Sequence, residues 1–242
     1  MEIMDKGTHK NQLGNLEMPL PFQSANVSMP NNRNYALEFL HGLTCTFKHK
    51  PQMEKHNIEF MSKMLDKGHV VLVRERETSP GRVWYLPHFE VCHPKKMDQI
   101  RIVFDSYAEY QGKSPNRELL TGPDLLNTLL RVLVRFRRKD MAATCDVGEM
   151  LHLFHFSPEH RILRFLWFQE INLSKPIAEF QMTVRLFGNG PSPVVATYGL
   201  RKMVKHGEEA DVKLFVERNF YVDDGLVSTP TAIEVITLVQ NT

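Results

Sequence analysis

The chain has 242 residues, with 30 Lys and Arg against 28 Asp and Glu, 42% hydrophobic residues and 24% charged ones. That composition suits a globular chain able to bury a sizeable core, and it excludes disordered, collagen-like and disulfide-stapled classes. No membrane helix is expected, because the longest apolar stretch, 125–136, is broken by Asn127, Arg131 and Arg135 and falls short of ~18 uninterrupted apolar residues. The opening MEIMDKGTHKNQLGN has no apolar signal region. Three widely spaced cysteines, Cys45, Cys92 and Cys145, suit a reducing, cytoplasmic location. Charge is uneven: 21 basic and 16 acidic residues precede Asp146, and 9 and 12 follow from it onward. A basic first half suits contact with a polyanion, although drift of surface charge gives the same count.

Residues 1–34 are polar and broken by Pro19, Pro21 and Pro30, which predicts an extended lead-in. Apolar spacings of three and four then predict helices over 35–43 and 51–67, the second stopped by Gly68. Short β-branched and aromatic runs at 70–73, 83–86 and 100–104, bounded by Pro and Gly, read as strands. Gly122-Pro-Asp124 opens a helix predicted over 125–138, whose basic end (Arg131, Arg135, Arg137, Arg138, Lys139) either meets phosphate or is simply solvated. Residues 141–145 read as a buried strand ending at Asp146. Beyond it the pattern predicts a helix over 158–164, strands at 165–168 and 180–186, and helices over 192–203 and 208–218. Two short strands around Asp223-Asp224-Gly225 and a final helix over 231–240 complete the order. This mixture without βαβ alternation is α+β.

The chemistry concentrates in two strings. Phe220-Tyr-Val-Asp-Asp-Gly-Leu-Val227 places adjacent carboxylates at a predicted hairpin tip. Asp-Gly between apolar strands is an ordinary turn signal, yet a turn needs one Asp, and a second beside it adds repulsion. Thr144-Cys-Asp-Val-Gly-Glu-Met150 again ends an apolar strand in a carboxylate. Carboxylates from separate strands are what a two-Mg²⁺ phosphoryl-transfer site requires, because hard cations take oxygen ligands. Zinc is a poorer reading. His88, Cys92 and His93, or Cys145 with His152, His155 and His160, lack the paired spacing of structural sites.

Tyr221-Val-Asp-Asp224 resembles the palm motif of reverse transcriptases, and the surrounding strings are similar to those of Pao (BEL) long-terminal-repeat retrotransposons. They run through most of the chain: Glu17-Met-Pro-Leu-Pro-Phe22, Met29-Pro-Asn-Asn-Arg33, Gly81-Arg-Val-Trp-Tyr-Leu-Pro-His88, Arg101-Ile-Val-Phe-Asp105, Leu119-Leu-Thr-Gly-Pro-Asp124, Arg164-Phe-Leu-Trp167, Phe187-Gly188 with Ser192-Pro193, and Arg218 to Asp224. The resemblance implies a right-hand polymerase, with a lead-in at 1–34, fingers over 35–140 and a partial palm with a small antiparallel sheet over 141–242. It implies a reverse transcriptase that joins deoxynucleoside triphosphates (dNTPs) to a primer 3′-hydroxyl on an RNA or DNA template. No obligate protein partner is evident, and the location could be inside element-derived particles.

By that resemblance Asp146, Asp223 and Asp224 are the catalytic carboxylates. With the Val147 carbonyl they are the ligands of two Mg²⁺, Mn²⁺ being an alternative. Lys95, Lys96 and Arg101 match the loop that meets the incoming triphosphate, with Glu149, Met150 and Leu151 lining the nucleotide. Phe187, Gly188, Ser192, Pro193 and Tyr221 match the template and primer side. Two positions depart from the pattern. Leu151 stands where the family has an aromatic ring against the sugar, which bears on dNTP selectivity, and Pro191 interrupts a run of small residues. Eighteen residues follow Asp224, too few for a thumb, so weak, distributive activity is expected from this chain alone. The alternative is a catalytically inactive remnant that binds nucleic acid at most; a metal nuclease would leave the fingers motifs unexplained.

Overall fold

The computed structural model describes residues 1–24, 26–73, 82–93, 96–205 and 210–241. Its first elements are α1 (Glu2–Gly7), β1 (His9–Lys10), β2 (Leu16–Met18), α2 (Arg33–Phe47), α3 (Pro51–Asp66), β3 (Val70–Leu72), β4 (Trp84–Tyr85), β5 (His88–His93), β6 (Lys96–Phe104) and α4 (Pro115–Glu118). There follow α5 (Leu129–Phe136), β7 (Met141–Asp146), β8 (Phe154–Phe156), β9 (Leu163–Phe168), β10 (Ile177–Met182) and α6 (Ser192–Val204). The last are α7 (Ala210–Asn219), β11 (Phe220–Tyr221), β12 (Asp224–Thr229) and α8 (Ala232–Asn241). Helices mix with small sheets, so the fold is α+β. Among the described residues no helix is long and apolar enough to cross a membrane. Two compact units form, each discontinuous in sequence. One holds Glu2–Leu120 and His155–Ser192, the other Thr121–Phe154 and Pro193–Thr242.

The first unit is built on a four-stranded sheet of order β3-β10-β9-β4, in which only β4 runs parallel to its neighbour. Leu163 to Trp167 of β9 are all buried. That explains why Phe165–Trp167 reads as a continuous apolar run rather than an alternation, with Arg164 the one charged residue among the five. Helix α2 buries Ala36, Leu40, Leu43 and Phe47 on one face, and α3 buries Met61 and Met64. Both pack into a core with Trp84, Phe104, Phe165, Trp167 and Phe180. Trp84 and Tyr85 are therefore packing residues. A polar knot ties the layers together: Arg33 (2.8 Å), Arg164 (3.2 Å) and the Tyr85 hydroxyl (2.8 Å) all bond the Glu179 carboxylate. Burial would raise that carboxyl, but these three donors hold it below its ordinary value.

The lead-in differs from the expectation of extended chain. It contains α1 and the β1–β2 hairpin, and it buries Met18, Leu20 and Met29. The fully buried Arg185 donates to the carbonyls of Met18 (3.3 Å) and Pro19 (2.7 Å) and so anchors it. The helix predicted over 158–164 is a single 3₁₀ turn, Pro158–His160, because Leu163–Phe168 pairs with β10 instead.

The second unit carries an antiparallel three-stranded sheet, β11-β12-β7, against which α5, α7 and α8 pack. Its core joins Phe215, Val216 and Phe220 with Cys145, Val147, Leu200 and Val227. Strand β7 is not buried as predicted. It is the edge strand of a small sheet, so Met141, Ala142, Thr144 and Asp146 are exposed while Ala143 and Cys145 face inward. Helix α5 begins at Leu129, four residues later than predicted. The backbone ahead of it is satisfied elsewhere: Asp124 Oδ1 accepts the Leu126 amide (2.9 Å), and Arg201 donates to the Leu125 carbonyl (2.7 Å).

Candidate metal centre

The centre is built from two strand ends of the second unit. Strands β7 and β12 pair from Met141 opposite Thr229 to Asp146 opposite Asp224. That register sets two carboxylates side by side, where like charges repel unless something neutralises them. Strand β11 returns to β12 through a two-residue loop, Val222-Asp223, because Tyr221 pairs with Asp224. Val222 adopts φ +58°, a region a β-branched residue rarely enters, so the turn holds strain at its tip. The Asp223 carbonyl accepts the Val147 amide at 3.0 Å, which locks the tip onto the end of β7.

The turn falls before Asp224-Gly225 rather than on it. Gly225 lies inside β12, and a Cβ there would sit 2.6 Å from Cys145 Sγ, 2.8 Å from Phe220 Cζ and 3.0 Å from Phe215 Cζ. The glycine therefore serves close packing beneath the carboxylates, not the reversal of the chain. Two asparagines fix the hairpin from its flanks. Asn127 Nδ2 donates to the carbonyls of Glu217 (3.2 Å) and Phe220 (2.9 Å), and Asn219 Nδ2 donates to Leu226 (2.8 Å). Sequence reasoning missed both; the signal for Asn127 was a polar residue inside an otherwise apolar run. Arg135 likewise donates to the Arg218 carbonyl at the end of α7 (2.6 Å), so this member of the basic cluster has a structural partner.

As a result, one oxygen from each of Asp146, Asp223 and Asp224 lies within 4.8 Å of the others. Asp146 and Asp224 are exposed and Asp223 is half-buried. Among the described residues none of the three has a basic side chain paired with it. Three carboxylates held this close repel one another, and each offers an oxygen of the kind that hard divalent cations take. Burial pushes the Cys145 thiol above its ordinary pKa, with the Asp146 and Asp224 charges adding to the effect against a bond from the Gly225 amide. Cys145 packs with Val147 and Val227 around Phe215 and Phe220, its Sγ close beside Gly225.

The other expected site residues divide between the units. Val147, Glu149, Met150, Leu151, Pro193 and Tyr221 belong with the carboxylates; Arg101, Phe187, Gly188 and Ser192 belong to the other unit. The Val147 carbonyl accepts the Met150 amide (3.2 Å) and keeps its second lone pair, while Glu149 takes φ +53° at the start of the 3₁₀ turn Met150–Leu153. Met150 and Leu151 are buried. Arg101 is exposed on β6 opposite Val91, and Lys96 opens β6. Lys95 lies outside the described residues. Phe187 is 65% exposed, Gly188 has φ +86°, and the buried Ser192 begins α6.

The α+β arrangement of helices and small sheets has the fold of a reverse transcriptase fragment. Prototype foamy virus protease–reverse transcriptase aligns with 97% of this chain at TM-score 0.58 and 15% identity. The foamy viral enzyme in complex with an RNA/DNA hybrid aligns with 98% at TM-score 0.56 and 16% identity, and a form in complex with double-stranded DNA with 97% at 0.55 and 16%. The chain spans only about a quarter to a third of the length of these structures. No family model and no curated protein matches the sequence.

Proposed function

We propose that the chain is the fingers and palm portion of a reverse transcriptase from a Pao (BEL)-type long-terminal-repeat retrotransposon, acting on a primer–template and dNTPs. The observation that carries this reading is the convergence of Asp146, Asp223 and Asp224 within 4.8 Å, without a basic partner among the described residues, on a reverse-transcriptase-like fold. The order of the sequence motifs supports the family. Under this reading Asp146, Asp223 and Asp224, with the Val147 carbonyl, hold Mg²⁺ or Mn²⁺. Such ions activate a primer 3′-hydroxyl and stabilise the leaving pyrophosphate. Lys95, Lys96 and Arg101 neutralise triphosphate charge that grows during transfer. Glu149, Met150 and Leu151 border the nucleotide, and Tyr221, Phe187, Gly188, Ser192 and Pro193 meet template and primer.

A second reading, a remnant that binds nucleic acid without extending it, is favoured by Leu151. A leucine buried in a 3₁₀ turn offers little edge to a sugar. Primer extension in Mg²⁺ with the chain and its Asp223→Asn variant separates the two. The polymerase reading expects incorporation to fall by more than about 100-fold, the most that loss of an outer-shell metal partner costs. Equal incorporation by both proteins would sink it. Binding that weakens steeply with salt, without extension by either protein, would establish the remnant.

A further inference from the structure

We infer that Asn116 is a positioning residue: its side-chain amide clamps the turn that follows Phe187 and holds that ring out as a platform for an unpaired template base. The clamp stands on geometry alone, and the template role rests on the polymerase reading above.

Asn116 sits on a rigid support. Pro115 occupies the first position of α4, and the preceding Ser114 is buried. The Asn116 amide donates to the Ser106 carbonyl (3.2 Å), and the amides of Arg117 (3.1 Å) and Glu118 (3.3 Å) donate to the Ser114 carbonyl. With the backbone so held, the side chain reaches across about seventy residues of sequence. Nδ2 donates to the Gly188 carbonyl at 2.8 Å, and Oδ1 accepts the Gly190 amide at 2.7 Å. A carboxamide supplies one donor and one acceptor in a single plane, which is what a carbonyl and an amide two residues apart require. Asp would keep the Gly190 bond and meet the Gly188 carbonyl with a second acceptor.

The clamped turn has an uneven arrangement. Gly188 has φ +86°, Asn189 is 2% exposed, and Phe187 is 65% exposed. The buried polar residue faces inward and the large apolar one faces solvent, which reverses the usual preference. The Ser192 amide closes the turn on the Asn189 carbonyl at 3.0 Å. An exposed ring beside a glycine backbone suits a stacked nucleobase. Stacking tolerates any base, and glycine lets the strand come close. The ring is useful only if its direction is fixed, and Asn116 is the side chain that bonds both sides of the turn.

The test uses the full chain, its Asn116→Ala, Asn116→Asp and Phe187→Ala variants, and the Asn116→Ala/Phe187→Ala double variant. In hydrogen exchange, Asn116→Ala should speed the Gly190 amide about tenfold, as expected for one lost hydrogen bond, with β9 and β10 unchanged. Asn116→Asp should retain most of that protection. Unaltered Gly190 exchange in Asn116→Ala would overturn the clamp. Binding is then compared on a duplex with a single-stranded template overhang and on a blunt duplex. Asn116→Ala and Phe187→Ala should each weaken overhang binding several-fold, weaken blunt-duplex binding by a smaller factor, and fail to add in the double variant. Additive losses, or no loss in Asn116→Ala, would overturn the positioning role. Absence of duplex binding by the unmodified chain would remove the polymerase reading and the template role together, while exchange still decides the clamp.

Discussion

Gly225 has no room for a methyl group. Cys145 Sγ and the rings of Phe220 and Phe215 lie 2.6, 2.8 and 3.0 Å from where a Cβ would be. Gly225→Ala must displace a strand partner or two aromatic rings beneath Asp224, and should lower stability by about 1–3 kcal/mol, the usual range for overpacking. Denaturant midpoints of the two proteins measure this. His88 shows a different residue-level device. It is buried among Phe104, Phe165 and Trp167 at ring separations of 5.5–5.8 Å, and burial lowers its pKa to about 4. A histidine with a depressed folded pKa binds protons in the unfolded state first. Its stability contribution is therefore complete above pH 6.5 and is lost as pH falls toward 4. Between pH 7 and pH 5 the loss is about 2 kcal/mol at most. Glu90, which burial pushes up to about 6, acts in the opposite direction over part of that window. Comparison with His88→Phe isolates the histidine: the variant should lose about 2 kcal/mol less than the unmodified protein over that range, in urea unfolding at the two pH values.

At the scale of elements, the hairpin that carries Asp223 and Asp224 is too short to hold itself, since β11 has two residues. Its support comes from β7, from the Asp223 carbonyl bonded to Val147, and from Asn127 and Asn219 at its flanks. Asn127→Ala would leave the Glu217 and Phe220 carbonyls without their side-chain donor. It should cost about 1–2 kcal/mol in stability and speed amide exchange in 220–224 more than in β9 or β10. Equal protection in both proteins would show that β7 pairing alone holds the hairpin. The same residue explains why the helix predicted over 125–138 begins only at Leu129. An apolar run with Asp124 and Pro123 ahead of it reads as a helix start, but Asn127 and Leu125 make their bonds to distant elements, and tertiary partners replaced the helical ones.

For the whole molecule, local pattern and long-range pairing divided the outcome. The amino-acid order alone determined most helices, the α+β class, the two acidic strand ends and the motif order that suggests a polymerase, because these depend on spacing within one element or on local strings. It also showed a basic first half, but that half does not map onto one compact unit, since 121–154 folds with 193–242 and 155–192 folds with 2–120. Only the tertiary structure decided that the chain reverses at Val222-Asp223, that Gly225 is a packing glycine, that β7 is an exposed edge, and that Asn116 and Asn127 serve distant turns. Each of these depends on which strand lies beside which, and on what occupies the few ångströms between them. Residues 72 to 93 positions apart settle that, and no local periodicity records it.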